Sequence, residues 1–196
     1  FFNTVYFWIP LVLIFPLITM RVLAEESKMG TLETLMTAPV RDFQVVFAKF
    51  AGCLFFYVIL WAPSLLYFTA FEVVTDLDAA GAAGSYVGAY AMLLLMGCLF
   101  TAIGCLSSAL TDNQIVAAVV CFSAILCLFF IGLLAFFIPS SGTALREVTY
   151  YFSPIEHMMD FSRGIFDTRP VVFYLSTNLV VLFATFHIFQ YRRWKA

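Results

Sequence analysis

The sequence predicts an all-α integral membrane protein with five visible membrane-spanning helices. Two observations carry this. Of 196 residues, 63% are hydrophobic and only 11% charged, where soluble domains run at about 45–50% and about 25%. The few charges are clumped, leaving uncharged runs over Phe1–Met20, Phe50–Phe71, Ala79–Thr111, Asn113–Leu145 and Pro170–Tyr191. A helix needs roughly 20 apolar residues to cross a bilayer, so each run supplies one span. A β-barrel would need alternating segments of ~10 residues, and none of the runs alternates. Helices then satisfy the backbone where lipid offers it no partner.

Lysine and arginine counts orient the spans. Arg21, Lys28, Arg41, Lys49, Arg192, Arg193 and Lys195 fall on one side with the turn at Asp112, and Arg146, Arg163 and Arg169 on the other. Seven against three places the first segment and the C-terminal tail in the cytoplasm. The chain opens at Phe1 rather than Met, and Phe1–Met20 lacks the basic n-region and cleavage site of a signal peptide. The expectation is a single domain over residues 1–196, preceded by one further span that completes six helices in a bacterial inner membrane.

Composition also excludes functions. A net charge of -2 lacks the basic excess that binding a nucleic-acid backbone requires. Ion-coupled carriers place ionisable groups at membrane depth, but the five runs hold no Asp, Glu, Lys or Arg, and His187 sits near a helix end. No G-x-x-x-x-G-K-[ST] phosphate loop occurs, so any ATP must be used by another subunit. Cys53, Cys98, Cys105, Cys121 and Cys127 lie inside apolar runs without a C-x-x-C pair and read as small buried hydrophobes. With no nucleophile–base grouping or metal-ligand spacing, the sequence predicts neither an enzyme nor a metal site. His157 beside Glu156 and Asp160 does not share a face with them well enough to form one.

Within the third span, Gly84 and Gly88, then Gly97, Thr101, Gly104 and Ser108, trace a face of small groups, on which another backbone approaches closely. The pattern admits packing within the chain or against another subunit. Pro10 and Pro16 in the first span and Pro63 in the second remove backbone donors and bend or loosen their helices.

The most informative loop runs from Arg21 to Lys49, with its core at residues 25–42. Gly30 breaks the incoming helix, Thr31 suits an N-cap, Glu33 suits the first turn, and Pro39 enforces a stop. The product is a helix of about two turns, marginal alone in water. Its Leu32, Leu35 and Met36 form an apolar stripe at i, i+3 and i+4. Such a helix needs a dock. Asp42 is placed to cap the next membrane helix near Phe43.

The other organised segment is residues 139–169. Ser153-Pro154-Ile155-Glu156 fits a capping box with proline at the first helical position. Ile155, Met158, Met159, Ser162 and Phe166 then share one face, opposite Glu156, Asp160, Arg163 and Asp167. An amphipathic helix lying at the outer interface is the expectation.

The run Leu23-Ala24-Glu25-Glu26, then Gly30-Thr31-Leu32-Glu33, Leu35, Thr37-Ala38-Pro39-Val40 and Lys49-Phe50 resembles the cytoplasmic loop of type-2 ABC transporter permeases, especially the gliding-motility-like branch. Leu110-Thr111-Asp112-Asn113-Gln114-Ile115, Ser162-Arg163-Gly164 and Asp167-Thr168-Arg169 add weaker matches. The resemblance implies that Thr31–Thr37 is a coupling helix inserting into a groove on a separate ATPase subunit. On that reading Glu25, Glu26 and Glu33 meet basic groups of the ATPase, Leu32, Leu35 and Met36 fill its groove, and Gly30, Thr31, Thr37 and Pro39 shape the segment. It also implies a homo- or heterodimer of permeases, ATP and Mg held by the partner and no cofactor on this chain, and short re-entrant helices closing the outer end. The uncharged spans and 24 Phe suit export of a lipid-like, hydrophobic or lipid-linked cargo. The alternative is a mechanical subunit of an envelope or motility machine without net transport.

Overall fold

A computed structural model describes residues 5–30, 41–66, 83–137 and 144–195. Among them there is no strand. The helices are α1 (Val5–Thr19), α2 (Ala24–Met29), α3 (Asp42–Trp61, continued by a 3-10 turn over Ala62–Leu65), α4 (Ala83–Leu110), α5 (Gln114–Phe137), α6 (Ala144–Tyr151), α7 (Pro154–Ser162) and α8 (Thr168–Lys195). Five helical segments are long and apolar enough to cross a membrane: Tyr6–Met29, Asp42–Leu65, Gly84–Leu110, Gln114–Leu134 and Thr168–Arg192. They correspond to the five uncharged runs.

The ends of these helices follow local chemistry. Asn113 accepts the Ile115 amide at 3.0 Å and so opens α5, while Asp167 accepts the Arg169 amide at 3.0 Å at the start of α8. Gly30 closes α2 in the left-handed conformation, φ 70°, which costs a residue without a Cβ little. At α3 the structure corrects the expected cap: Asp42 is already helical, Arg41 is the N-cap, and Gln44 accepts the Arg41 amide at 3.1 Å. Asp42 instead supplies first-turn negative charge. Pro63 bends nothing mid-span. It lies in the 3-10 turn that ends α3.

α4 is the central post. About 61% of its span is buried within the protein, against 17–44% for the other four, and Met92, Leu93, Met96, Leu99 and Phe100 are fully enclosed. A helix apolar and buried on nearly all sides belongs to the middle of a bundle. Around it, α1, α3, α5, α7 and α8 each pack directly.

Phenylalanine's role in this half of the bundle is structural. Phe15 meets Tyr57 at 4.9 Å between ring centroids, Tyr57 meets Trp61 at 6.4 Å, Trp61 meets Phe7 at 5.6 Å, and Phe7 meets Trp8 at 5.1 Å. Trp8 meets Phe129 at 5.1 Å, Phe129 meets Phe100 at 6.1 Å, and Phe100 returns to Phe15 at 5.2 Å. This closed circuit of edge-on and tilted rings ties α1, α3, α4 and α5 together, each pair adding about 0.5–1.5 kcal/mol beyond its buried area. These rings are occupied with one another and fill the subunit's own core.

Candidate functional site

The site is built around α2, the short helix that leads into residues 31–40. Those ten residues, with Thr31, Leu32, Glu33, Leu35, Met36, Thr37 and Pro39, lie outside the described residues. α2 itself is defined, and Leu23 and Ala24 at its start are buried.

Its N-terminus is held from another helix. A helix start leaves amide groups without intrahelical partners, and Leu23 offers no side chain to accept them. Ser108 on α4 supplies the acceptor: its Oγ lies 3.0 Å from the Leu23 amide and 3.0 Å from the Ala24 amide, and donates to the Met20 carbonyl at 3.3 Å. Just before this bend, Thr19 donates to the Phe15 carbonyl at 2.7 Å. Its side chain fills the space beside Gly104, where an added Cβ would come within 2.1 Å of the Thr19 Oγ1.

The sides of α2 are held by charge. Glu26 forms an ion pair with Lys49 on α3. One residue further on, Ser27 donates to Asp112 at 2.5 Å, and Arg192 on α8 donates to Ser27 at 3.0 Å and to Asp112 at 2.6 Å. The Ser27 hydroxyl first, and Arg192 after it, hold the Asp112 carboxyl below its usual range, against a desolvation that pushes the other way. α2 is thereby tied to α3, α4, the α4–α5 turn and α8 within six residues of chain. Glu25 is half-buried on the same helix.

The small-residue face of α4 is consumed inside the subunit. Gly97 receives the Tyr57 ring of α3, with an added Cβ 2.2 Å from the ring edge, and Gly88 receives the backbone of α7, 2.5 Å from the Phe161 carbonyl oxygen. Thr101 and Ser108 are buried. Gly84 faces open space.

At the other end, α7 starts as read from the sequence, with the Ser153 Oγ accepting the Glu156 amide at 3.3 Å and Pro154 in the first turn. Its seating differs. The buried side is Pro154, His157, Met158 and Phe161, an i, i+3, i+4, i+7 stripe that tucks against α4 and α5. Ile155, Met159 and Ser162 are only half-buried, Phe166 is exposed, and Arg163 points outward. The helix is rotated because Gly88 and Gly132 open hollows that Phe161 and Ser153 fill, a close approach that hydrophobic periodicity does not encode. His157 is enclosed with its Nδ1 3.5 Å from the Tyr174 hydroxyl. Burial pushes its pKa down to about 4, against the opposing pull of Asp160 and Asp167. At the same end, Tyr150 of α6 donates to Asp160; burial first, then the Asp160 bond, raises the Tyr150 pKa.

No group of three or more His, Cys, Asp or Glu among the described residues is arranged to hold a metal ion. Ser27, Lys49, Asp112 and Arg192 were not legible as one cluster. A signal existed, because Asp112 is the single formal charge between Ala79 and Leu145.

Five apolar spans around a buried central helix, with the Glu26–Lys49 and Arg192–Asp112 ion pairs gathered at one end, define a polytopic helical membrane protein. Residues 1–189 match the family model described as an ABC-2 family transporter protein. The chain belongs to that family and is a permease-type transmembrane subunit of an ABC transporter. No curated protein and no solved structure gives a match.

Proposed function

We propose that this permease drives export of a hydrophobic, lipid-like or lipid-linked cargo, with ATP and Mg bound and hydrolysed on a separate ATPase subunit. It works as a homo- or heterodimer in a bacterial inner membrane with its C-terminus cytoplasmic, and belongs to the gliding-motility-like branch. The ATPase contacts residues 25–42. The observation that supports this reading is the fastening of α2 to α3, α4 and α8 through Ser108, Lys49, Asp112 and Arg192. A push on residues 31–40 reaches α2 and α3 directly, and through their ties the remaining spans. Motion is carried by discrete hydrogen-bonded and ionic contacts between rigid helices, one kind of network through which distant sites are coupled.

The test is ATP hydrolysis by the full transporter reconstituted in vesicles, with and without candidate lipids. Stimulation by one lipid class supports export of such a cargo. Unstimulated hydrolysis across lipid and lipid-linked cargoes favours a mechanical subunit without net transport.

A further inference from the structure

α3 and α8 pack against each other, and the open side of their seam is lined with rings. Phe43 stacks on Phe47 at 5.9 Å between centroids and meets Phe186 of α8 edge-on at 6.4 Å. Phe186 meets His187 at 5.8 Å, and His187 meets Phe183 edge-on at 4.4 Å. Unlike the core circuit, this strip is uncovered: Phe43 is 62% and Phe183 61% exposed, and Phe47 and His187 are exposed with them. Phe47 and Phe183 lie within segments long and apolar enough to cross a membrane, so an occupant needs an apolar body. Beyond the rings, at the same end of the bundle, the balance of charge is positive. Arg41 is exposed two residues before Phe43, and α8 ends in Arg192-Arg193-Trp194-Lys195. Against these four basic residues stand two acids, Asp42 in the first turn of α3 and Asp112, which Arg192 already holds. The nearby Glu26–Lys49 pair sums to zero.

We propose that this seam binds a phospholipid with an anionic headgroup, its acyl chains along Phe47 and Phe183 and its phosphate beside Arg41. The two parts of the surface select that chemistry together. Aromatic rings at a membrane interface sit at the level of the headgroups, and each Lys or Arg near that level favours an anionic lipid about fivefold. His187 carries a ring N–H in either tautomer, which a phosphate or ester oxygen accepts. A second copy of the chain fits less well, because in a two-fold contact the same patch meets itself and the basic ends are set against each other. A soluble acidic peptide has no apolar body to lay against Phe183. Arg41 directly follows residues 31–40, but lipid binding needs no ATPase and stands apart from the coupling reading.

The experiment reconstitutes the full-length permease in vesicles carrying a trace of phosphatidylglycerol or phosphatidylcholine with the same diazirine-bearing acyl chain, and maps the photolabelled peptides by mass spectrometry. The expected result is phosphatidylglycerol label at Phe43–Phe47 and Phe183–His187 that exceeds phosphatidylcholine label about fivefold or more, with no preference at Val119 and Phe130, which are exposed on α5. Arg41→Gln lowers the preference about fivefold and Arg41→Lys keeps it, while unchanged labelling of α5 shows that both variants are folded. Equal labelling of the seam by the two lipids, or a preference that survives Arg41→Gln, overturns the proposal. So does a seam shielded from both lipids while protein–protein cross-links form there, which makes a second copy the occupant.

Discussion

Ser108 caps a helix to which it does not belong: its Oγ, on α4, accepts the Ala24 amide at the start of α2 at 3.0 Å. The same oxygen accepts the Leu23 amide, so one hydroxyl satisfies two buried donors that lipid would leave without partners. Ser108→Ala strands both. A buried donor left unpaired costs about 1–3 kcal/mol, and the expected outcome is a lower midpoint of thermal unfolding in detergent. Thermal melts of the purified variant check this, and an unchanged midpoint refutes the cap.

The glycine face of α4 makes a graded prediction. Gly97→Ala drives a Cβ to 2.2 Å from the Tyr57 ring, and Gly104→Ala drives one to 2.1 Å from the Thr19 hydroxyl. Overpacking of this kind costs about 1–3 kcal/mol. Gly84→Ala meets nothing within 4 Å and is expected to be neutral or slightly stabilising. Yield of folded protein by size-exclusion chromatography ranks the three.

Arg192→Gln separates stability from coupling. The Asp112 side chain is 69% exposed, so its ion pair with Arg192 contributes only about 0–1 kcal/mol to folding. Folding is therefore nearly unchanged, while the tie from α8 to α2 is cut. The expected outcome is a retained melting midpoint with reduced cargo-stimulated ATP hydrolysis. The contribution of Asp112 has a defined pH sense. Its folded pKa is lowered, so the stabilisation is present above the unfolded carboxylate value and is lost as pH falls through the folded one. Melts of wild type and Asp112→Asn converge only at acid pH.

His157 supplies an acid-labile term at the opposite end. Its folded pKa of about 4 lies below the ordinary 6.5, so between these values the unfolded chain binds a proton that the folded chain does not. Stability is unaffected above pH 6.5 and declines as pH drops toward 4, each unit of separation being worth about 1.4 kcal/mol. His157→Gln removes this slope. Unfolding midpoints at closely spaced pH values across that window check the difference.

The fold was legible because lipid imposes a single requirement, long uncharged helices, and the clumped charges display it directly. Gly30 and Ser153 were legible for local reasons, one as a helix stop and the other as a cap. The contacts between Ser108 and Leu23, or among Ser27, Asp112 and Arg192, join residues 80 or more positions apart. No periodicity encodes such pairings. The seating of α7 was misjudged because its buried face is set by hollows at Gly88 and Gly132, features of its neighbours rather than of α7 itself. The small-residue face of α4 was legible as a packing surface, but only the structure distributes it among α3, α1 and α7.

The central claim, that residues 31–40 engage an ATPase and α2 relays the movement, is tested most directly by affinity purification of the full-length protein from native membranes in mild detergent. The wild-type chain and a Leu32→Asp, Leu35→Asp variant are compared, and their partners identified by mass spectrometry. The account predicts a P-loop ATPase with the wild type that the double variant loses while remaining folded. A wild-type chain that purifies without any ATPase, or a double variant that keeps it in full, contradicts the account.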